Sequence, residues 1–261
     1  MKIVVLTSNS LRHKFLANTL SSYCDDALII SECKPQTSSF DDSKNYTKIE
    51  NHFLLRDKTE ESFFPNDNYF IPKTLPILYK EVNSPYVYKV IKNFKPDILI
   101  IFGSSIIKEP LISLLPTGHI INLHLGISPY YRGSGTNFWP FVNKELEYVG
   151  STILHLDPGI DTGDIISHVQ PKFEHDDDVH TIGCKVIEES VTTLIKIVEM
   201  VKKGKELQRI KQWNVPNSRY YKNNDFNEEI LKKYKQNLEN GLITNYLAAS
   251  KDNLKLVSIE E

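Results

Sequence analysis

The chain has 261 residues, 40% of them hydrophobic and 25% charged, and a formal net charge of −2. That length buries a sizeable core as one large α/β domain or one domain with an extension, and the composition is that of a folded globular protein with no global attraction to nucleic acid. No apolar run approaches the roughly 20 residues that cross a bilayer, and Met1 to Thr7 is too short for a secretory signal, so a cytoplasmic protein with no membrane partner is expected.

Residues 2–7 read as a buried first strand, and Thr7-Ser8-Asn9-Ser10 as a cap for a helix marked by Leu11, Phe15, Leu16 and Leu20. Ala27 to Ile30 follows as a second strand, which opens a β-α-β unit and favours a parallel, doubly wound sheet. Residues 34–76 are polar, with aromatics at Phe40, Phe53, Phe63, Phe64, Tyr69 and Phe70; loops and one or two short helices are expected there. Leu78, Val82, Val87, Val90, Ile91 and Phe94 carry a helical period that the Lys95-Pro96-Asp97 turn ends. The strand 98–102 then delivers Gly103-Ser104-Ser105 to a strand's carboxyl end, where ligands settle in open α/β sheets. A strand at 119–123, a short buried helix at 138–142, and a hairpin of strands 149–156 and 164–169 come next. Asp176-Asp177-Asp178 opens a long amphipathic helix through Val198, closed by Lys202-Lys203-Gly204. Beyond residue 205 the chain is polar and aromatic, with a modest helix near 226–238. Residues 202–235 hold ten Lys/Arg against four Asp/Glu, which reads as a solvated helix face. Cys24, Cys33 and Cys184 have no CxxC spacing and are odd in number, which excludes a disulfide framework and a zinc site; all three read as small core residues.

Asn122 and His124 are two apart on a strand and therefore project to one face, placing an amide donor beside an imidazole. Some thirty residues on, the run from Leu156 to Asp164 offers three carboxylates, Asp157, Asp161 and Asp164, and spacing does not choose among them. Together these stretches supply an amide donor, a base and an orienting carboxylate. His155 stands beside the aspartates and is expected at the site; His13, His52, His119, His168, His175 and His180 are read as structural or exposed. No HxxxH or HxH spacing with a carboxylate suggests a metal, and no GxGxxG or Walker loop suggests a nicotinamide or ATP.

Asn122-x-His124, the Ser128-Pro129-Tyr130-Tyr131-Arg132-Gly133 loop and Asp161-Thr162-Gly163-Asp164 together resemble the folate-dependent formyltransferases, over roughly residues 1–200. The resemblance implies an α/β fold with a doubly wound, mostly parallel, Rossmann-like sheet: a catalytic domain over 1–204 and a small C-terminal extension over 205–261. It implies transfer of a formyl group from N10-formyltetrahydrofolate to an amine, with Asn122, His124 and Asp161 catalytic. It places the folate against Phe102, Gly103, Ser104, Ile106 and Ile107, with backbone groups of Ile160 and Thr162 at its edge.

The segment Gly135 to Phe141 resembles the Asn-Phe-Trp-x-Phe stretch of nucleotide-sugar N-formyltransferases more than that of the tRNA or purine enzymes, and Arg219-Tyr220-Tyr221-Lys222 looks like their segment after the core. Length agrees, since a purine enzyme ends near residue 200 and a tRNA enzyme carries a longer C-terminal domain than remains here. The expected acceptor is the amino group of a nucleotide-linked amino-deoxysugar destined for a surface polysaccharide. Tyr130 and Trp139 are candidates to stack on the base and Arg132 to meet the diphosphate, although core packing of Phe138, Trp139 and Phe141 is the preferred reading of that stretch. Ser128-Pro129 departs from the Leu-Pro form associated with the sugar enzymes. A homodimer through the extension is expected. The alternatives are a methionyl-tRNA formyltransferase, a formyltetrahydrofolate hydrolase, disfavoured because the chain begins directly with the first strand, and an inactive binding protein, disfavoured because all three catalytic positions are filled.

Overall fold

Unbroken burial along the first strand sets the architecture. In β1 (Lys2–Ser8), Ile3 and Val5 belong to one hydrophobic cluster and Val4 and Leu6 to another, all fully buried. A strand that is apolar on both faces must lie between two layers. The computed structural model, which describes residues 1–34, 46–116, 118–249 and 254–259, supplies those layers.

Chain order is β1, α1 (Leu11–Ser21), β2 (Asp26–Cys33), α2 (Lys48–Phe63), β3 (Lys73–Leu78), α3 (Pro85–Phe94), β4 (Ile98–Ile101) and β5 (Ile120–Leu125). It continues with β6 (Tyr131–Gly133), α4 (Trp139–Asn143), β7 (Ser151–His155), β8 (Ile165–Val169), α5 (Val179–Lys202), β9 (Arg219–Tyr221), α6 (Glu228–Glu239) and α7 (Leu242–Ala248). The main sheet runs β3-β2-β1-β4-β5-β7-β8; its first five strands are parallel, and β7 is antiparallel to both β5 and β8. Leu16 and Leu20 of α1 and Val191, Leu194 and Val198 of α5 cover one face, while Val87 and Ile91 of α3 cover the other. This is the expected doubly wound α/β sheet. Strand order reverses between β1 and β4, so a crevice opens at their carboxyl ends.

Several local expectations are corrected. The polar stretch before residue 76 holds a helix of 16 residues and a strand. Helix α2 was hard to read because few of its residues are buried; a reciprocal cap between Thr47 and Glu50 fixes its start. Strand β3 contains Pro76, which is tolerated because the strand lies at the sheet's edge. Leu78 is the exposed last residue of that strand and not part of a helix, which begins only at Pro85 after its cap Ser84. Ser10 caps α1 without a side-chain hydrogen bond. Cys33 is exposed and Cys24 half-buried, leaving Cys184 as the one core thiol of the three. Phe40 lies outside the described residues.

The C-terminal segment folds back onto the core. Strand β9 pairs in parallel with β6, and Leu231, Tyr234, Leu242 and Ile243 join Tyr131, Phe138, Phe141 and Ile182 in a third cluster. No described helix is long and apolar enough to cross a membrane.

Glu32, at the end of β2, is fully buried, and its oxygens accept from the Lys80 amide at 2.9 Å, the Ser105 amide at 2.7 Å and the Ser105 hydroxyl at 3.0 Å. It ties the loop after β4 to the sheet. Glu32→Ala leaves two backbone donors without their acceptor and is expected to cost about 3 kcal/mol in urea unfolding, given about 1.5–3 kcal/mol for each hydrogen bond to a charged group. A loss below ~1 kcal/mol would show that the loop holds itself.

Candidate active site

The crevice at the reversal point widens into a cleft of about 1040 Å³. Strand β5 delivers Asn122 and His124 to it, two residues apart and on one face. The turn between β7 and β8 delivers the carboxylate. Asp161 Oδ1 lies 3.4 Å from Asn122 Nδ2 and 3.4 Å from His124 Nδ1, so one oxygen faces both partners.

The other two carboxylates are occupied elsewhere. Asp157 accepts from Thr162 Oγ1 at 2.8 and 2.9 Å and from the Gly159 amide at 3.1 Å, which organises the turn. Asp164 pairs with Arg209 at 3.2 Å. Of the three carboxylates, Asp161 is thus the one that faces Asn122 and His124.

The turn is demanding. Asp161 has φ +54°, a left-handed conformation that Asp and Asn adopt more readily than most residues. A Cβ at Gly163 would stand 1.8 Å from the His155 carbonyl oxygen, so only glycine lets the turn close on β7. Gln212 of the C-terminal segment donates to the Asp161 carbonyl at 2.8 Å and the Gly163 carbonyl at 3.0 Å. It is positioned by the bridge between Ile210 and Ile165. Sequence reasoning missed Gln212, because nothing in its local pattern reports contact with a turn some fifty residues away. Gln212→Ala is expected to loosen the turn and lower kcat about tenfold with little change in KM, which steady-state kinetics would read; unchanged kcat would show that the turn keeps its shape unaided.

His124 is 8% exposed, and its Nε2 is 3.3 Å from the Tyr131 carbonyl oxygen. That oxygen can only accept, so Nε2 carries a proton and Nδ1, the nitrogen toward Asp161, is free to take another. The imidazolium so formed would have an acceptor at each nitrogen. A separation of 3.4 Å is long for a hydrogen bond, as is common where reacting groups tighten only around substrate.

Phe102, Gly103, Ser104, Ile106, Ile107, Ile160 and Thr162 all line the same cleft. Ile106 is 59% exposed and Ile160 45%, which puts exposed aliphatic surface on two loops at the cleft. Such a slot fits a flat heteroaromatic ring, with loop backbone for its polar edge.

The formyl transferase family signature matches residues 50–198, more than half of the chain. The chain belongs to this family. It is 30% identical over 146 residues to a methionyl-tRNA formyltransferase of Caldanaerobacter subterraneus subsp. tengcongensis, a stretch that covers 55% of this chain and 47% of that protein. The matched stretch thus spans about half the length of that curated relative. Among solved structures it is similar to the formyltransferase PseJ of Anoxybacillus kamchatkensis, with a TM-score of 0.52 and 19% identity over 89% of this chain and 90% of that one. A phosphoribosylglycinamide formyltransferase of Anaplasma phagocytophilum gives a TM-score of 0.58 and 16% identity, covering 85% and 98%. At those identities the likeness is one of fold.

The three residues expected to meet the acceptor do not line the cleft. Trp139 is 4% exposed, stacked on Tyr221 at 4.0 Å, and donates to the Ser134 carbonyl, so its ring is spent on packing. Tyr130 packs on Tyr148. Arg132 faces a smaller cavity of about 340 Å³ beside Trp213, with its Nε unpaired. His155 lines the cleft, held by a 3.0 Å contact from Nε2 to the Gln208 carbonyl, and burial lowers its pKa below the usual imidazole value. His13, His52 and His180, read as structural or exposed, line the cleft as well. Their signal was hidden because they sit on helices whose sequence pattern reports only the core-facing stripe. Among the described residues no group of His, Cys, Asp and Glu is arranged to hold a metal.

Proposed function

We propose that this protein transfers a formyl group from N10-formyltetrahydrofolate to the amino group of a nucleotide-linked amino-deoxysugar. The observation that carries the reaction is the single Asp161 oxygen placed 3.4 Å from both the Asn122 amide and the His124 imidazole, at the wall of a cleft with an apolar slot beside it. The folate derivative supplies the activated formyl group when bound in that slot. Asn122 donates to the oxygen on which charge develops, worth about 2.7–4 kcal/mol for a pre-positioned donor. As the amine nitrogen bonds to the formyl carbon, His124 Nδ1 accepts its proton and Asp161 stabilises the imidazolium; the C–N10 bond then breaks and N10 takes up a proton, so that tetrahydrofolate leaves.

A small acceptor fits the enclosure of the site. Tyr220 and Asn223 of the C-terminal segment and His52, Phe53 and Arg56 of α2 all line the cleft, which is of the size that takes small molecules. The solved structure of PseJ holds UDP-4,6-dideoxy-4-formamido-L-AltNAc and tetrahydrofolate, and its similarity extends through most of this chain. The second reading, formylation of methionyl-tRNA, is favoured by the sequence relatives. A homodimer in the cytoplasm, serving surface-polysaccharide synthesis, completes the proposal.

The test is incubation with formyl-folate and a panel of UDP- and dTDP-linked 3-amino and 4-amino deoxysugars, read by mass spectrometry. One formyl group gained by a panel member is expected. Gain on charged initiator tRNA and on no sugar would replace this reading with the second.

A further inference from the structure

Strand β6 is only three residues long, yet both of its edges are used. Along one edge the backbone pairs with β9: the Arg219 amide donates to the Tyr130 carbonyl at 2.7 Å, just before β6, and the Ser134 amide, just after it, donates to the Tyr221 carbonyl at 2.8 Å. Backbone groups of successive residues point alternately to the two edges of a strand, so Tyr131 and Gly133 present theirs on the other side. There the Tyr131 carbonyl oxygen is 3.3 Å from His124 Nε2, and the Gly133 amide nitrogen is 3.4 Å from Asp161 Oδ2. Two side chains of the catalytic trio thus stand where a further strand would pair, and β6 is a common reference for both.

What fixes β6 lies outside the cleft. Glu145, two residues after α4, accepts from the Tyr131 hydroxyl and makes a two-pronged ion pair with Arg219, whose Nε donates at 2.9 Å. One carboxylate therefore ties the first residue of β6 to the first residue of β9. Asn143 adds a second tie, its Nδ2 lying 2.9 Å from both the Tyr131 and the Tyr221 hydroxyls. The two backbones are as close as they can be, since a Cβ at Gly133 would stand 2.2 Å from the Tyr221 carbonyl oxygen. Burial works to raise the Glu145 pKa, but hydrogen bonds from Arg219 and Tyr131 outweigh it and hold the carboxyl below its usual value, so the pair is ionised near neutral pH. Neither Glu145 nor Arg219 lines the cleft, so neither is placed to touch substrate.

We infer that Glu145 and Arg219 are positioning residues: by locking β9 of the C-terminal segment to β6, they hold the Tyr131 carbonyl and the Gly133 amide against His124 and Asp161. The inference rests on the proposed transfer through those two groups and deepens it, and it is the same for a sugar or a tRNA acceptor.

The test joins steady-state kinetics to NMR of the full chain labelled with ¹⁵N-histidine, the His124 ring signals being assigned through His124→Asn. Arg219→Gln and Glu145→Gln are each expected to lower kcat about 10- to 100-fold, the cost of a misplacement of about 1 Å, with KM for both substrates unchanged. Each is also expected to shift the His124 ring nitrogens in the free protein, while those of His155, which lines the same cleft but is held by the Gln208 carbonyl, stay in place. The double variant should fall no further than either single one, because all three break one contact. Unchanged kcat, an unmoved His124 signal, or losses that add in the double variant would overturn the inference. Arg219→Lys keeps the charge without the two-pronged contact and is the milder substitute, read in the same way, should a glutamine variant unfold. Full transfer by both glutamine variants would sink the positioning alone, whereas wild-type transfer to initiator tRNA and to no sugar would sink the sugar reading alone.

Discussion

Asp161→Asn and His124→Asn are each expected to lower turnover by about 10²–10⁴-fold, the range that positioned acid–base groups contribute. Asp161→Asn is the sharper test. The residue holds φ +54°, and asparagine adopts that conformation as readily as aspartate, so the turn and its contacts with Gln212 survive the change. What is lost is the negative charge 3.4 Å from His124 Nδ1, where the imidazolium forms. The amide can also present an N–H to the nitrogen that must accept the proton. KM for either substrate should move little, because the carboxylate acts on charge that exists only as the reaction proceeds. Turnover within a few-fold of wild type, in a variant whose thermal unfolding is unchanged, would remove the residue from the scheme.

What the sequence made legible follows from the range of the forces involved. The unbroken apolar run of β1 and the 3.6-residue period of α5 are local signals, and both were readable, as was the placement of Asn122 beside His124 on one strand. The choice of Asp161 over Asp157 and Asp164 was not, because it depends on which side of a turn faces β5; only family resemblance singled it out beforehand. Helix α2 escaped because it is a surface helix with Leu54 and Glu60 as its only buried residues, too few to mark a stripe. The same weakness hid His52 and Arg56, which α2 turns toward the cleft. Trp139 is a different case: the family motif offered it for substrate contact, while its apolar neighbours favoured core packing, and its ring stacks on Tyr221. Long-range returns of the chain, such as Gln212 to the turn that holds Asp161 and β9 to β6, leave no local trace at all.

Asn122 supports the second large prediction, because its amide has two N–H donors and Asp161 occupies one of them. The other is available to the oxygen of the group under attack. Asn122→Ala is expected to lower kcat by about 10²–10³-fold, as for loss of one oxyanion donor elsewhere, with KM nearly unchanged. Asn122→Asp should be worse than alanine despite its closer shape. It offers no donor at neutral pH and sets a second carboxylate against the one at 3.4 Å, repelling the charge that develops on the formyl oxygen. Single-turnover rates with saturating formyl-folate separate this chemical step from binding and release. Should Asn122→Asp outpace Asn122→Ala, the amide's role would be to hold Asp161 in place, and the developing charge would have to be stabilised by backbone donors of the turn instead.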